Sequence, residues 1–130
     1  MMIERLLSYR DSFAYDYEDM YRWVDTYEED GIIYPGYPEY DKTVFGFIND
    51  VYDSGLLIRD YSSVLDRKGV RDVDTLINDA DMLTLRAVLS YYVRGEHKKV
   101  GLWGRGVRKM CFLRMLDRLE ELVRDGAVAA

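Results

Sequence analysis

Apolar side chains recur along this chain at helical spacing. Ile3, Leu6 and Leu7 come first, then Phe13, then Met20, Trp23, Val24 and Tyr27. Residues three and four apart share one face of an α-helix, so the pattern predicts two amphipathic helices here, or one long helix bent near residues 13–16. The stretch from Asp16 to Asp30 is acid-rich, and Gly31 reads as its C-terminal stop. Residues 32–41, IIYPGYPEYD, hold both prolines, each after a tyrosine, with Gly36 between them. This segment reads as a loop with trans Tyr–Pro bonds, packed down on the body through Ile32, Ile33, Tyr34 and Tyr37.

The helical period returns at Asp41, with Val44, Phe45, Ile48, Val51 and Tyr52 on one face as far as Ser54-Gly55. A short helix over residues 60–67 follows, with Asp60 as N-cap and Gly69 as terminator. Residues 72–77 suit one further turn, and Asn78 with Asp81 forms a weak capping box. Met82, Leu85, Val88, Leu89 and Tyr92 predict a helix ending near Gly95. A last helix is expected from residues 104–106 to Arg124, burying Phe112, Leu113, Leu116, Leu119 and Val123. No two-residue alternation is sustained and no Asn-Gly turn occurs. The expected fold is therefore all-α: a compact single-domain bundle of five to seven helices over residues 1–130, without significant sheet.

Composition narrows the chemistry. The 130 residues are 48% hydrophobic and include 12 tyrosines, enough for one folded core rather than a disordered chain. Cys111 is the only cysteine and His97 the only histidine, which excludes an intrachain disulfide and a structural zinc site; no cofactor is expected. No apolar run approaches the ~20 residues of a membrane span. The first residues acquire acids too early for a secretory signal, so the expected location is the cytoplasm and no membrane partner is expected.

Charge changes the picture more. Residues 1–85 carry 19 acids and 8 bases, residues 86–118 carry 2 acids and 9 bases, and the chain is net −6. Either the two segments neutralise each other across the fold, or they present separate interaction surfaces. Lys98, Lys99, Trp103, Arg105, Arg108 and Lys109 bracket Gly101, Gly104 and Gly106. Free amides beside cations suit an anion, and an exposed Trp103 suits a stacked base of single-stranded nucleic acid. The alternative is a helix-to-helix corner with Trp103 inward and the bases solvated. The glycine spacing matches neither a phosphate-cradling loop nor a dinucleotide fingerprint.

His97 is the only ordinary general-base candidate, and it forms a nucleophile pair with Cys111 only if the fold joins them. The acids of the first half splay around their segments rather than converge on a metal. Tyr15, Tyr17, Tyr34 and Tyr37 lie in this acidic background and are the candidate partner-binding residues, since tyrosine is enriched at interfaces.

Two segments, YPEYDKTVFGFINDVYDSGLLIRDYSSVL and LTLRAVLSYYVRGEHKKVGLWGRGVRKMCFLRMLDRLEEL, resemble a family of small, mainly bacterial helical proteins known only as a domain of unknown function. The shared residues are Tyr37, Tyr40, Phe47, Tyr52, Gly55 and Tyr61, then Leu83, Arg94-Gly95-Glu96, Gly101, Trp103 and Leu116 through Leu122. Where the family carries an aromatic soon after the Arg-Gly-Glu triplet, this chain has Lys98. The resemblance implies a compact helical fold and no established activity. It also implies that Arg94, Gly95 and Glu96 form a structural corner, with a site role for Arg94 and Glu96 as the alternative.

The function expected from these readings is a non-enzymatic cytoplasmic interaction or regulatory protein, an inhibitor or adaptor with a protein partner. A prophage or host-defence antagonist fits that description, as a monomer or small homo-oligomer. The alternative is nucleic-acid or phosphate binding through residues 98–109. An enzyme of unrecognised class ranks third.

Overall fold

The structure, a computed structural model, describes residues 2–126, with side chains from Ile3 onward. Met1 and residues 127–130 of the expected domain lie outside the described residues. Two short helices open the chain, α1 (Met2–Leu7) and α2 (Arg10–Tyr15), and their apolar positions Ile3, Leu6 and Phe13 are buried. A 3-10 turn at Tyr17–Asp19 follows, and Met20 beyond it is buried.

The all-α expectation fails over residues 21–40, which form an antiparallel β-hairpin. Strand β1 (Tyr21–Val24) pairs with β4 (Tyr37–Tyr40), and β2 (Tyr27–Glu29) pairs with β3 (Ile32–Tyr34). Tyr21 faces Tyr40, Val24 faces Tyr37, Tyr27 faces Tyr34 and Glu29 faces Ile32, so one register runs through both ladders. The ladder pauses at residues 25–26 and 35–36, where Gly36 N donates to Thr26 Oγ1 at 3.1 Å. Gly31 stops no helix. With Asp30 at φ 53° and Gly31 at φ 77°, it makes the two-residue turn whose twist matches paired strands.

Met20, Trp23, Val24 and Tyr27 match helical spacing, but Trp, Val, Thr, Tyr and Ile favour strands once a turn offers a partner. Both prolines are tolerated because each strand of a two-stranded hairpin is an edge. No cis peptide is present among the described residues.

Two of the helices after the hairpin are capped by aspartate side chains, while Asp60, the expected cap of a third, makes no cap bond. Asp41 accepts from Thr43 N at 3.0 Å and caps α3 (Lys42–Asp53), which buries Val44, Phe47, Ile48 and Val51. Helix α4 (Tyr61–Lys68) ends at Gly69 in the left-handed region, and a 3-10 turn covers Val73–Leu76. Asp81 accepts from Thr84 N at 2.8 Å and opens α5 (Met82–Gly95). Asn78 takes no part in that cap; its side chain accepts from Arg114 Nε at 3.0 Å. The single last helix expected is two, α6 (Leu102–Arg108) and α7 (Cys111–Arg124), separated where Met110 takes φ 61°.

The core is built on aromatic contacts between α2, α3, α5 and α7. Phe13 and Phe47 meet edge to face at 4.9 Å, as do Tyr92 and Phe112 at 5.6 Å, and Phe47 and Phe112 meet tilted at 5.1 Å. Burying each phenylalanine stabilises the fold by about 1.5–3 kcal/mol. Arg10 ties α2 to α7 through Asp117 at 2.9 Å and Glu120 at 2.6 Å.

Candidate functional site

The hairpin meets the helices at its base. Tyr21 and Tyr40 stack there with centroids 5.5 Å apart. Tyr21 lies flat on α6, where Gly104 is required because a Cβ would strike the ring. The Arg108 guanidinium sits 5.7 Å from the centre of the same ring, a cation–π contact. Tyr40 Oη donates to Glu96 Oε1 at 2.9 Å and accepts from Gly104 N at 3.2 Å. The Glu96 carboxylate also accepts from the amides of Gly101 and Trp103, both at 2.8 Å. Amides at a helix start lack intrahelical partners and favour a negative charge, so Glu96 caps α6 while holding the hairpin. Burial first, and then the bond to Glu96, push the Tyr40 hydroxyl pKa well above its ordinary value, which keeps it a neutral donor.

Arg94, Gly95 and Glu96 therefore form a corner in space. Gly95 is buried under Leu102, and the half-buried Arg94 rests its guanidinium 5.8 Å from the Tyr52 ring centre. Trp103 belongs to the same corner. It is half-buried, its Nε1 donates to Val93 O at 3.2 Å, and its ring meets Tyr40 at 5.5 Å and Phe45 at 6.0 Å. These contacts make the indole part of the corner.

The basic residues near it divide between two clefts. Arg105 pairs with Asp72 at 3.1 Å and Asp74 at 3.0 Å. Arg108 and Lys109 are exposed beside Tyr21 in a cleft that Arg105 also lines, Lys99 is exposed, and Lys98 lines a different cleft with Arg94.

Cys111 and His97 are not joined. Cys111 is 0% exposed and lies 3.4 Å from the Tyr92 hydroxyl, whereas His97 is exposed beside Arg94 and Lys98. Burial pushes the Cys111 thiol up to about 11, so at neutral pH it is not a nucleophile. The Tyr92 hydroxyl also donates to buried Asp74. Burial of Asp74 opposes its ionisation, but hydrogen bonds from Tyr92, Cys111 and Arg105 outweigh it and hold the carboxyl below its ordinary pKa. This network ties the Val73–Leu76 turn to α5, α6 and α7. Among the described residues no group of three or more His, Cys, Asp or Glu is placed to hold a metal ion.

The remaining feature is the outer half of the hairpin. Every residue of β2 and β3 is exposed. Tyr27 and Tyr34 stack at 4.8 Å, beside Ile32 at 55% and Ile33 at 70% exposure. Trp23 and Tyr37, nearer the base, are also exposed and lie on opposite faces of the hairpin. Of the four candidate tyrosines, Tyr34 and Tyr37 lie on this hairpin, Tyr15 is exposed on α2, and Tyr17 packs against the core. Trp23, Tyr27, Ile32 and Ile33 escape sequence reading as surface residues. The signal for them is Asp30-Gly31 with β-favouring residues on both sides.

No helix of the described residues is long and apolar enough to cross a membrane. No curated protein and no solved structure matches the chain. A family model does match, over residues 1–125, and takes in the hairpin, the Glu96 corner and the buried Asp74 network together. The chain belongs to that family, DUF6508, a family of unknown function.

Proposed function

We propose that this chain is a non-enzymatic, cytoplasmic interaction protein whose β-hairpin inserts into an apolar groove, rimmed by Lys and Arg, on a protein partner. The observation that carries the reading is the outer hairpin, where Tyr27, Ile32, Ile33 and Tyr34 are all exposed on one projecting turn. A two-stranded hairpin is marginal alone in water, and exposed apolar side chains on both of its faces, Tyr27, Ile32 and Tyr34 on one and Ile33 on the other, suit a groove that encloses it. Asp25, Glu28, Glu29 and Asp30 ring the tip, and among the described residues none has an ion-pair partner. Arg22 is spent on Glu39, at 2.9 Å. That ring selects a basic rim and speeds encounter with it.

The test places a photo-crosslinking side chain at position 33 and, as control, at position 63 on α4. A partner captured only from position 33 is purified and titrated against the wild type, Ile33→Asp and Tyr27→Ala. Each substitution is expected to weaken binding at least about tenfold and to leave thermal melting unchanged. Unchanged affinity overturns the reading. Crosslinking of one copy to another replaces the foreign partner with a second copy of this chain.

A further inference from the structure

A second surface, away from the hairpin, gathers cations from three separated segments. An open cleft of ≈ 370 Å³ lies where the end of α3, the start of α4 and the end of α5 meet. Arg59, Arg94 and Lys98 line it, with His97 beside them. No carboxylate lines it among the described residues, in a chain with 24 acids.

Other arginines that reach into the fold are bonded. Arg86 donates to the carbonyls of Leu56 and Gly55, Arg114 to Asn78 and the Asp74 carbonyl, and Arg118 to Glu121 and the Ala80 carbonyl. Among the described residues, Arg59, Arg94 and Lys98 have no ion-pair partner. Among the described residues Arg94 Nε is buried without a hydrogen-bond partner, and its guanidinium lies over the Tyr52 ring. Keeping a half-buried guanidinium unpaired is costly, and an anion supplied from outside removes that cost. Glu96, the nearest acid in sequence, is already engaged with Tyr40, Gly101 and Trp103.

We propose that this cleft binds a small phosphate monoester, held by Arg59, Arg94 and Lys98 with the Ser62 hydroxyl as a further donor. A guanidinium fork matches phosphate oxygens two at a time, and a monoester, with three terminal oxygens and nearly two charges, engages more of these donors at once than a halide or carboxylate does. Ser62 lies in the first turn of α4, and the preceding Asp60 makes no side-chain cap bond. Tyr61, half-buried on the cleft wall, gives the organic part of the ligand an aromatic face to rest on. The size lies at the small end of ligand clefts, which suits a nucleoside or sugar monophosphate. The site does not depend on the hairpin.

The test is an amide-resolved NMR titration of the full chain with inorganic phosphate, AMP, adenosine and a single-stranded oligothymidine lacking terminal phosphates. Phosphate and AMP are expected to shift the Ser62, His97 and Lys98 amides saturably, AMP at lower concentration, and adenosine to shift none of them. Arg59→Gln and Lys98→Gln, both at exposed positions, are expected to weaken AMP binding about tenfold or more with unchanged melting. Ile33→Asp is expected to bind AMP as the wild type does. The proposal is overturned by the absence of saturable shifts with phosphate and AMP. It is equally overturned by undiminished binding in both variants, or by a response to the oligonucleotide alone.

Discussion

The Tyr40 hydroxyl donates to the Glu96 carboxylate across 2.9 Å, and this one bond joins two parts of the chain 56 residues apart. Because Glu96 also caps α6, the hairpin and the last two helices share an anchor. Glu96→Ala is expected to cost about 3 kcal/mol, since it removes bonds to a charged acceptor and leaves three donors unpaired. Tyr40→Phe should cost about 1 kcal/mol, and the double variant less than the sum. Urea unfolding of the four proteins measures the coupling. Simple additivity means that the two residues stabilise independently.

Gly104→Ala separates two opposing effects. Inside a helix, alanine is favoured over glycine by about 1 kcal/mol. Here the new Cβ meets the Tyr21 ring, and overpacking of this kind costs about 1–3 kcal/mol. The net expectation is destabilisation, reversed in a Tyr21→Ala background where the ring is gone. If Gly104→Ala stabilises both backgrounds equally, the hairpin does not rest on α6 in solution.

Asp74 makes stability depend on acid. Its folded pKa lies below its ordinary 3.8, so its contribution is complete above that value and fades as pH falls through the folded one. Asp74→Asn removes the partner of a guanidinium that is about 29% exposed. Solvent screening of Arg105 discounts the usual cost of a broken buried pair to about 2 kcal/mol near neutral pH. The wild type and variant should converge in urea midpoint as pH drops from about 6 to about 2.5. A gap that stays constant over that range contradicts the assignment.

Cys111 should be silent until the chain unfolds. The thiol is buried and raised to about 11, so both access and thiolate fraction are withheld. A disulfide reagent at mildly alkaline pH is expected to label it in urea and to leave the native protein unlabelled over the same time. Rapid native labelling indicates that the region between α6 and α7 opens locally.

Local signals are legible in part. Gly69 ends α4 as its type predicts, whereas Asp60 makes no cap bond and α5 is capped by Asp81 itself rather than by a box opened at Asn78. The hairpin was misread because four apolar residues fell by coincidence at helical spacing. Its true marker, Asp30-Gly31, is two residues long and gains meaning only when both flanks are compared. The break at Met110 has no breaker residue at all. It arises where Gly106 packs against the Phe112 ring and the chain turns from α6 into α7.

The corner was legible in part. Arg94-Gly95-Glu96 reads as a bend from its glycine and flanking charges, yet nothing local says that Glu96 receives a bond from Tyr40. Trp103 illustrates the same limit: its neighbours in sequence are Leu102 and Gly104, while its ring neighbours in space are Tyr40 and Phe45.

By itself the sequence determined where most of the helices lie, most of the buried faces and the uneven charge. Each of these depends on residue type and short-range spacing. Only the tertiary structure decided which charges are free. It paired Arg105 with Asp74, left Arg59, Arg94 and Lys98 together without a carboxylate, and stood Ile32 and Ile33 clear of the core. The physical reason is that pairing and exposure are properties of neighbours in space. Packing α3, α4 and α5 together, and anchoring one hairpin at its base, chooses those neighbours over long stretches of chain.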